Sequence, residues 1–209
     1  MQKSRKIGLL ILLLAIPIFF VLFFELFSTS HYAIPVYYET GIDSLAECEP
    51  SQSIHQVSTL SARNVVGDQP QSLEFTDILR AVYILPTECS EDCRTILEEL
   101  ARVQGVLESQ TSLQTVLIGK TGDPSFSDLA EEYASSQSTW LFLEGTETQF
   151  PSFLQCELVL PRINIPLHET LVLVDQQGRI RGYYRGTDAS EIDRLIAEIR
   201  ILEYSANKE

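Results

Sequence analysis

The pattern of apolar and polar positions divides the chain into two unlike parts. Residues 7–24, IGLLILLLAIPIFFVLFF, carry no charge. At about 1.5 Å per helical residue such a run just spans the hydrocarbon core of a bilayer. Lys3, Arg5 and Lys6 precede it and few bases follow closely. The positive-inside rule therefore sets the N-terminus in the cytoplasm and the remainder across the membrane. The rival reading is a cleaved signal peptide, whose apolar region is normally about 7 to 15 residues long and ends at a small-residue cleavage site. This run is longer, and Phe27-Ser28-Thr29-Ser30-His31 is a poor cleavage site, so the uncleaved anchor is favoured. No Cys directly follows the run, which excludes a lipoprotein anchor. Both readings export the same domain, to the periplasm or an equivalent extracytoplasmic space.

The second part changes character along its length. Residues 28–55 read as a tether: HYAIPVYYET is aromatic enough to pack on something, whereas GIDSLAECEPSQS is polar and rich in turn formers. VSTLSARNVVG alternates as a short hairpin does, and SLEFTDILR is spaced as a helical turn. A regular succession follows. AVYIL (81–85), QTVLIG (114–119) and TWLFL (139–143) are continuous apolar strands, separated by predicted helices over Ser90–Leu107 and Ser127–Ser135. TLVLVD (170–175) and RIRGYYRG (179–186) form a hairpin across Gln176-Gln177-Gly178. Asp188 then caps a last helix, with Glu191 placed for a capping box and Ile192, Leu195, Ile196 and Ile199 as its apolar stripe. Continuous apolar strands alternating with helices imply a parallel sheet covered on both faces. A parallel core finished by an antiparallel hairpin and a helix is the thioredoxin-like α/β arrangement. The predicted organisation is therefore 1–27 cytoplasmic N-terminus and anchor, 28–55 tether, and 56–209 thioredoxin-like domain.

Composition narrows the function. Acids outnumber bases 29 to 15, for a net charge of −14, so a nucleic-acid partner is not expected. Four Cys, three His and one Met, the first residue, leave very few candidate ligands for a soft metal.

The chemistry gathers at Leu85-Pro86-Thr87-Glu88-Cys89-Ser90-Glu91-Asp92-Cys93, where a strand ends and a helix begins. Open α/β sheets place their sites at this carboxyl edge, and a helix N-terminus stabilises a thiolate. Residues i and i+4 of a helix lie about 5 to 6 Å apart at Cβ, farther than the roughly 3.5–4.5 Å of a disulfide. Cys89 must therefore sit on the loop or first turn for the pair to close. The same spacing lets two thiolates grip one ion, and soft thiolates select Cu(I) or zinc. His168, in the loop before TLVLVD, is the third candidate. In a thioredoxin-like fold that loop faces the cysteines of the first helix, and two thiolates with one imidazole suit Cu(I). His31, beside the membrane, and His55, in the tether, read as structural or surface residues. Pro166 is either the cis proline that thioredoxins set beside their site or an ordinary loop proline.

These pieces resemble the Sco/SenC family of copper-delivery proteins, which assemble the copper centre of cytochrome c oxidase. The resemblance covers roughly residues 35–203. It rests on the anchor, Val36-Tyr37-Tyr38, Gly41-Ile42-Asp43-Ser44, Ala81 to Cys93, Thr121-Gly122-Asp123-Pro124, His168 and Arg181 to Asp188. It implies a metal site at Cys89, Cys93 and His168, copper as the metal, and the copper-containing subunit of the oxidase as partner. The chain departs from the pattern where Ser90 and Arg94 replace proline after each cysteine. Leu85 and Pro86 replace a glycine and an aromatic residue, and Leu167 stands where an Asp usually precedes the His.

Cys48 and Cys156 remain. They are either a second disulfide, as an even count in an oxidising compartment suggests, or one buried and one free thiol. Three functions compete, in this order. The first is a copper-binding assembly factor that is not an enzyme in the turnover sense. The second is a thiol–disulfide reductase using Cys89 and Cys93 to keep a partner's cysteines reduced. The third is a peroxiredoxin-like peroxidase, for which Pro86-Thr87-x-Cys89 is an incomplete motif.

Overall fold

The computed structural model describes residues 15–23, 34–42, 48, 50, 52–107, 112–145 and 150–206. The chain divides into two compact units, Met1–Ala33 and Ile34–Glu209. In the first, residues 15–23 form a helix, α1, whose side chains are exposed. Among the described residues no helix is long and apolar enough to cross a membrane. The rest of the apolar run over 7–24, and His31, lie outside the described residues.

The second unit is built on one seven-stranded sheet in the order β2-β1-β5-β4-β3-β6-β7. The strands are β1 (Leu60–Asn64), β2 (Gln69–Leu73), β3 (Leu79–Ile84), β4 (Leu113–Lys120), β5 (Trp140–Gly145), β6 (Thr170–Val174) and β7 (Ile180–Arg185). β3, β4 and β5 are parallel, and every residue of β3 and of β5 is buried, which is why they read as apolar runs, with Arg80 and Glu144 as their buried charged residues. β6 and β7 close one side antiparallel, and the β1–β2 hairpin closes the other.

Alternation along the strands separates two cores. Leu79, Ala81, Tyr83, Leu117, Phe142, Leu171 and Leu173 point to one face, where α2 (Glu91–Leu107), α3 (Pro124–Ala134) and α5 (Ala189–Ala206) cover them. Val82, Ile84, Val116, Ile118, Leu143, Val172 and Val174 point to the other. Among the described residues no long helix covers that second face. A short helix, α4 (Phe150–Ser152), runs into a π turn (Phe153–Glu157) and a 3-10 turn (Leu160–Arg162), and these supply Phe153, Leu158, Val159 and Leu160. Ile42 and Val57 complete the cover. The aromatic stretch before Gly41 packs as its composition implies: Tyr37 meets the Tyr183 ring edge-on at 5.2 Å, and its N–H donates to the Ile180 carbonyl at 2.9 Å.

A buried carboxylate fastens the start of this unit to the β6–β7 hairpin. Asp175, 1 % exposed, accepts from Arg179 Nε at 2.8 Å and from an Arg181 guanidinium nitrogen at 2.9 Å. Arg181 also donates to the carbonyls of Ile34 and Pro35. Gly178 turns the hairpin at φ +75°, where a side chain would be strained.

Two expectations change, and one open alternative is decided. SLEFTDILR links the end of β2 to the start of β3 through bends and is not a helical turn: Leu73 pairs with Leu60, Thr76 bridges Gln177, and Leu79 and Arg80 pair with Leu113 and Gln114. Its apolar residues fit either period, and long-range pairing decides. Asp188 does cap α5, accepting from the Ser190 N–H at 2.9 Å, but the Glu191 carboxylate pairs with Arg194 instead of closing a capping box. The open alternative is Pro166: the peptide before it is trans, as in an ordinary loop proline.

Candidate metal and redox centre

β3 carries the chain out of the sheet at Leu85, whose N–H still donates to the Ile118 carbonyl at 2.9 Å. Residues 85–90 then cross the carboxyl edge of the sheet to α2. The Ser90 carbonyl accepts the Arg94 N–H at 3.1 Å and its hydroxyl accepts the Cys93 N–H at 3.5 Å, so Ser90 caps the helix. Cys89 lies just outside the helix and Cys93 in its first turn. That placement brings their Cα atoms to 5.2 Å, and the two sulfurs form a disulfide. Cys93 is 1 % exposed in the helix-side core, and Cys89 is half-buried against it. A neighbouring loop steadies the crossing. Asp123 caps α3 by accepting the Ser125 N–H at 3.0 Å, Pro124 opens the helix, and the Ser125 hydroxyl donates to the Thr87 carbonyl at 2.9 Å.

Charge near the pair is mostly negative: Glu88, Glu91 and Asp92 are exposed around it. The positive end of α2 favours a thiolate, and these carboxylates oppose it. A cation held by the reduced pair gains from both the thiolates and the carboxylates.

His168 sits in a 3-10 turn, Leu167–Glu169, that packs against α2. Its side chain is half exposed, with Nε2 3.6 Å from Glu169 Oε1. Glu169 is itself held: its other oxygen receives the Thr187 hydroxyl at 3.1 Å and lies 3.3 Å from Arg185 Nε. The Glu169 carbonyl accepts the Gly186 N–H at 2.7 Å. Gly186 has no room for a side chain, because a Cβ there would lie 2.8 Å from Ile96 on α2. From below, the Tyr83 hydroxyl donates to the His168 carbonyl at 2.9 Å. Burial raises the Tyr83 phenol well above its ordinary range, and the carboxylates of Asp92 and Glu169 raise it further.

The arrangement joins Cys89 to Cys93 and sets the His168 turn against the helix that carries Cys93. It does not gather the three side chains as a ligand cluster: among the described residues no group of three His, Cys, Asp or Glu stands ready to hold a metal. With the sulfurs bonded to each other neither is a thiolate, and ligation requires reduction first. His55 is structural, 9 % exposed, with Nε2 2.7 Å from the Glu157 carbonyl. Cys48 and Cys156 are bridged, at a Cα–Cα distance of 5.5 Å. Tyr83 and Glu169 are not among the residues that the sequence pattern singles out. Glu169 had a signal, a carboxylate adjacent to the candidate histidine; Tyr83 had none beyond being a tyrosine in an apolar strand.

No family model and no curated protein matches the chain. Solved structures do. BsSco, described as a member of the Sco family of cytochrome c oxidase assembly proteins and as having a disulfide switch, is 15% identical over 72% of this chain and 95% of its own, with a TM-score of 0.58. A SCO1/SenC family lipoprotein from Bacillus anthracis is 15% identical over 71% of this chain and 95% of its own, with a TM-score of 0.59. Yeast Sco1, solved with copper bound, is 14% identical over 72% and 95%, with a TM-score of 0.53. At such identities the likeness shows the fold: this chain has the thioredoxin-like fold of the Sco proteins.

Proposed function

We propose that this chain is a Sco-type metallochaperone, anchored by its N-terminal apolar run with its folded unit outside the cytoplasm. Its cargo is Cu(I), held by the Cys89 and Cys93 thiolates with His168, and its acceptor is the copper-centre subunit of cytochrome c oxidase. The observation that carries this reading is the Cys89–Cys93 pair at the sheet's carboxyl edge, beside a helix against which the His168 turn packs. Soft thiolates with one imidazole are a donor set for Cu(I). The disulfide is then the metal-free, oxidised form. A dithiol donor passes two electrons and two protons to the bridge, the S–S bond breaks to two thiols, and the donor closes to its own disulfide. Cu(I) binding afterwards releases the thiol protons.

The closed disulfide also supports the second reading, a reductase that spends the same dithiol on a partner's cysteines. The two readings separate in one preparation of the full chain in detergent. The copper reading predicts about one Cu(I) per reduced chain in a chelator-competition titration, none after oxidation, and slow turnover in a disulfide-reduction assay. Unchanged copper stoichiometry in the Cys89→Ser/Cys93→Ser variant overturns it. Rapid turnover combined with copper affinity no better than that of a free dithiol puts the reductase first.

A further inference from the structure

We infer that Tyr83 is the positioning residue of the proposed centre, its hydroxyl fixing the His168 turn relative to the helix that carries Cys93. The inference rests on the copper reading given above and adds a residue to it.

Tyr83 links both halves of the site from the sheet, its ring in the core that holds Cys93 and its hydroxyl on the His168 turn. It stands on β3, which leads directly into the cysteine loop, and is 0 % exposed. Its ring belongs to the core that includes Cys93, Ile96 and Leu97 of α2. Its hydroxyl emerges from that core at the His168 carbonyl, 2.9 Å away and 85 residues distant in sequence. The turn receiving this bond is short, three residues, and opens at Pro166, which has no N–H to contribute. Within the turn the Glu169 N–H returns to the Pro166 carbonyl, so the His168 carbonyl depends on a partner from elsewhere. Tyr83 is that partner. A phenol is suited to the task because a rigid ring locked in a packed core offers its hydroxyl at one fixed point. The imidazole itself is half exposed and is not buried by its neighbours. Its position is therefore set through its backbone, by Tyr83 at its own carbonyl and by Gly186 at the next.

Tyr83→Phe removes the hydroxyl and keeps the ring, so the core around it stays filled. The test compares wild type, Tyr83→Phe, His168→Ala and the double variant as full chains in detergent. Two readouts are used. The first needs no metal: amide hydrogen exchange over Leu167–Thr170 should quicken about tenfold in Tyr83→Phe, with α2 and β6 keeping wild-type rates. The second is copper: Cu(I) affinity should fall three- to tenfold, and the Cu(II) absorption should move toward that of His168→Ala. In the His168→Ala background, adding Tyr83→Phe should still quicken exchange, because the carbonyl remains, but should change neither the copper affinity nor the absorption. Unchanged exchange at the turn overturns the positioning role, as does an equal loss of copper affinity with and without His168, which would mean that Tyr83 acts through the general fold. If His168→Ala itself leaves the copper signal untouched, the ligand reading fails and Tyr83's role in copper binding falls with it. The exchange result then reports on the hydrogen bond alone, so the two failures are told apart.

Discussion

The Cys48–Cys156 bridge should contribute more than twice as much to the stability of the folded unit as the Cys89–Cys93 bridge. The first closes a loop of sequence separation 108, the second one of separation 4. In the chain-entropy picture a cross-link stabilises by restricting the unfolded chain, more for a longer loop. That gives about 4.7 kcal/mol for the long bridge and about 2 kcal/mol for the short one. Removing the long bridge leaves its surroundings in place, because the two segments are also tied by His55 to the Glu157 carbonyl and by the Ser58 N–H to the Glu157 carboxylate, each at 2.7 Å. The native state of a Cys48→Ser/Cys156→Ser variant should accordingly stay intact while its unfolded chain gains freedom. The assay is urea unfolding of the segment from Ile34 to Glu209, which forms one compact unit. With a slope of about 2 kcal/mol per molar urea, the midpoint should drop by roughly 2 M for Cys48→Ser/Cys156→Ser and about 1 M or less for Cys89→Ser/Cys93→Ser. Equal losses, or a loss below about 1 kcal/mol for the long bridge, would refute the reasoning. The contrast bears on function. A centre that cycles between dithiol and disulfide must do so without unfolding its own scaffold, and a short loop meets that condition.

Two further outcomes follow from the buried polar groups. Arg181→Ala removes a cation that is 10 % exposed and paired with the buried Asp175 carboxylate, so it should cost about 3 kcal/mol and admit protease near Ile34; a variant as stable and as protease-resistant as wild type would show the network to be incidental. Tyr83, Tyr183 and Tyr184 are each held above their ordinary value of 10.0, chiefly by burial. A pKa raised in the folded state gives stability that is complete below the unfolded value and lost as pH rises past it, so unfolding should set in above about pH 10, with three of the eight tyrosines ionising only as the fold is lost; smooth titration of all eight in the folded protein would contradict it.

The α/β core was legible because burial there is two-sided. A strand buried on both faces has few polar positions, so AVYIL, QTVLIG and TWLFL announce themselves, and the observed strands begin and end within two residues of them. The helices between were legible from their single apolar stripes. The cover of the second face was not. Phe153, Leu158, Val159 and Leu160 pack into it from a π turn, a left-handed residue and a 3-10 turn, and such backbone has no period to detect. Val159 shows the difficulty most directly, since a buried β-branched residue at φ 52° is a conformation that tertiary contacts impose and local preference opposes.

The same division runs through the candidate centre. Cys89 and Cys93 could be read because their spacing and their place at a strand-to-helix junction are local facts. The disulfide then follows from Ser90 capping the helix between them. His168 lies 75 residues beyond Cys93, and what brings its turn to α2 is not local. Tyr83 reaches it from β3, Gly186 from the loop before α5, and Arg185 and Thr187 hold the carboxylate beside it. None of these residue types announces a site. They act because antiparallel pairing of β6 with β3 sets Leu171 opposite Tyr83, which puts the phenol beside the turn that leads into β6. The imidazole's position is thus a property of the sheet register. A variant that shifts the β3–β6 register should move His168 away from the helix even with every residue of the turn unchanged, whereas changes to Leu167 should matter little, since its side chain is 45 % exposed and supports none of these bonds.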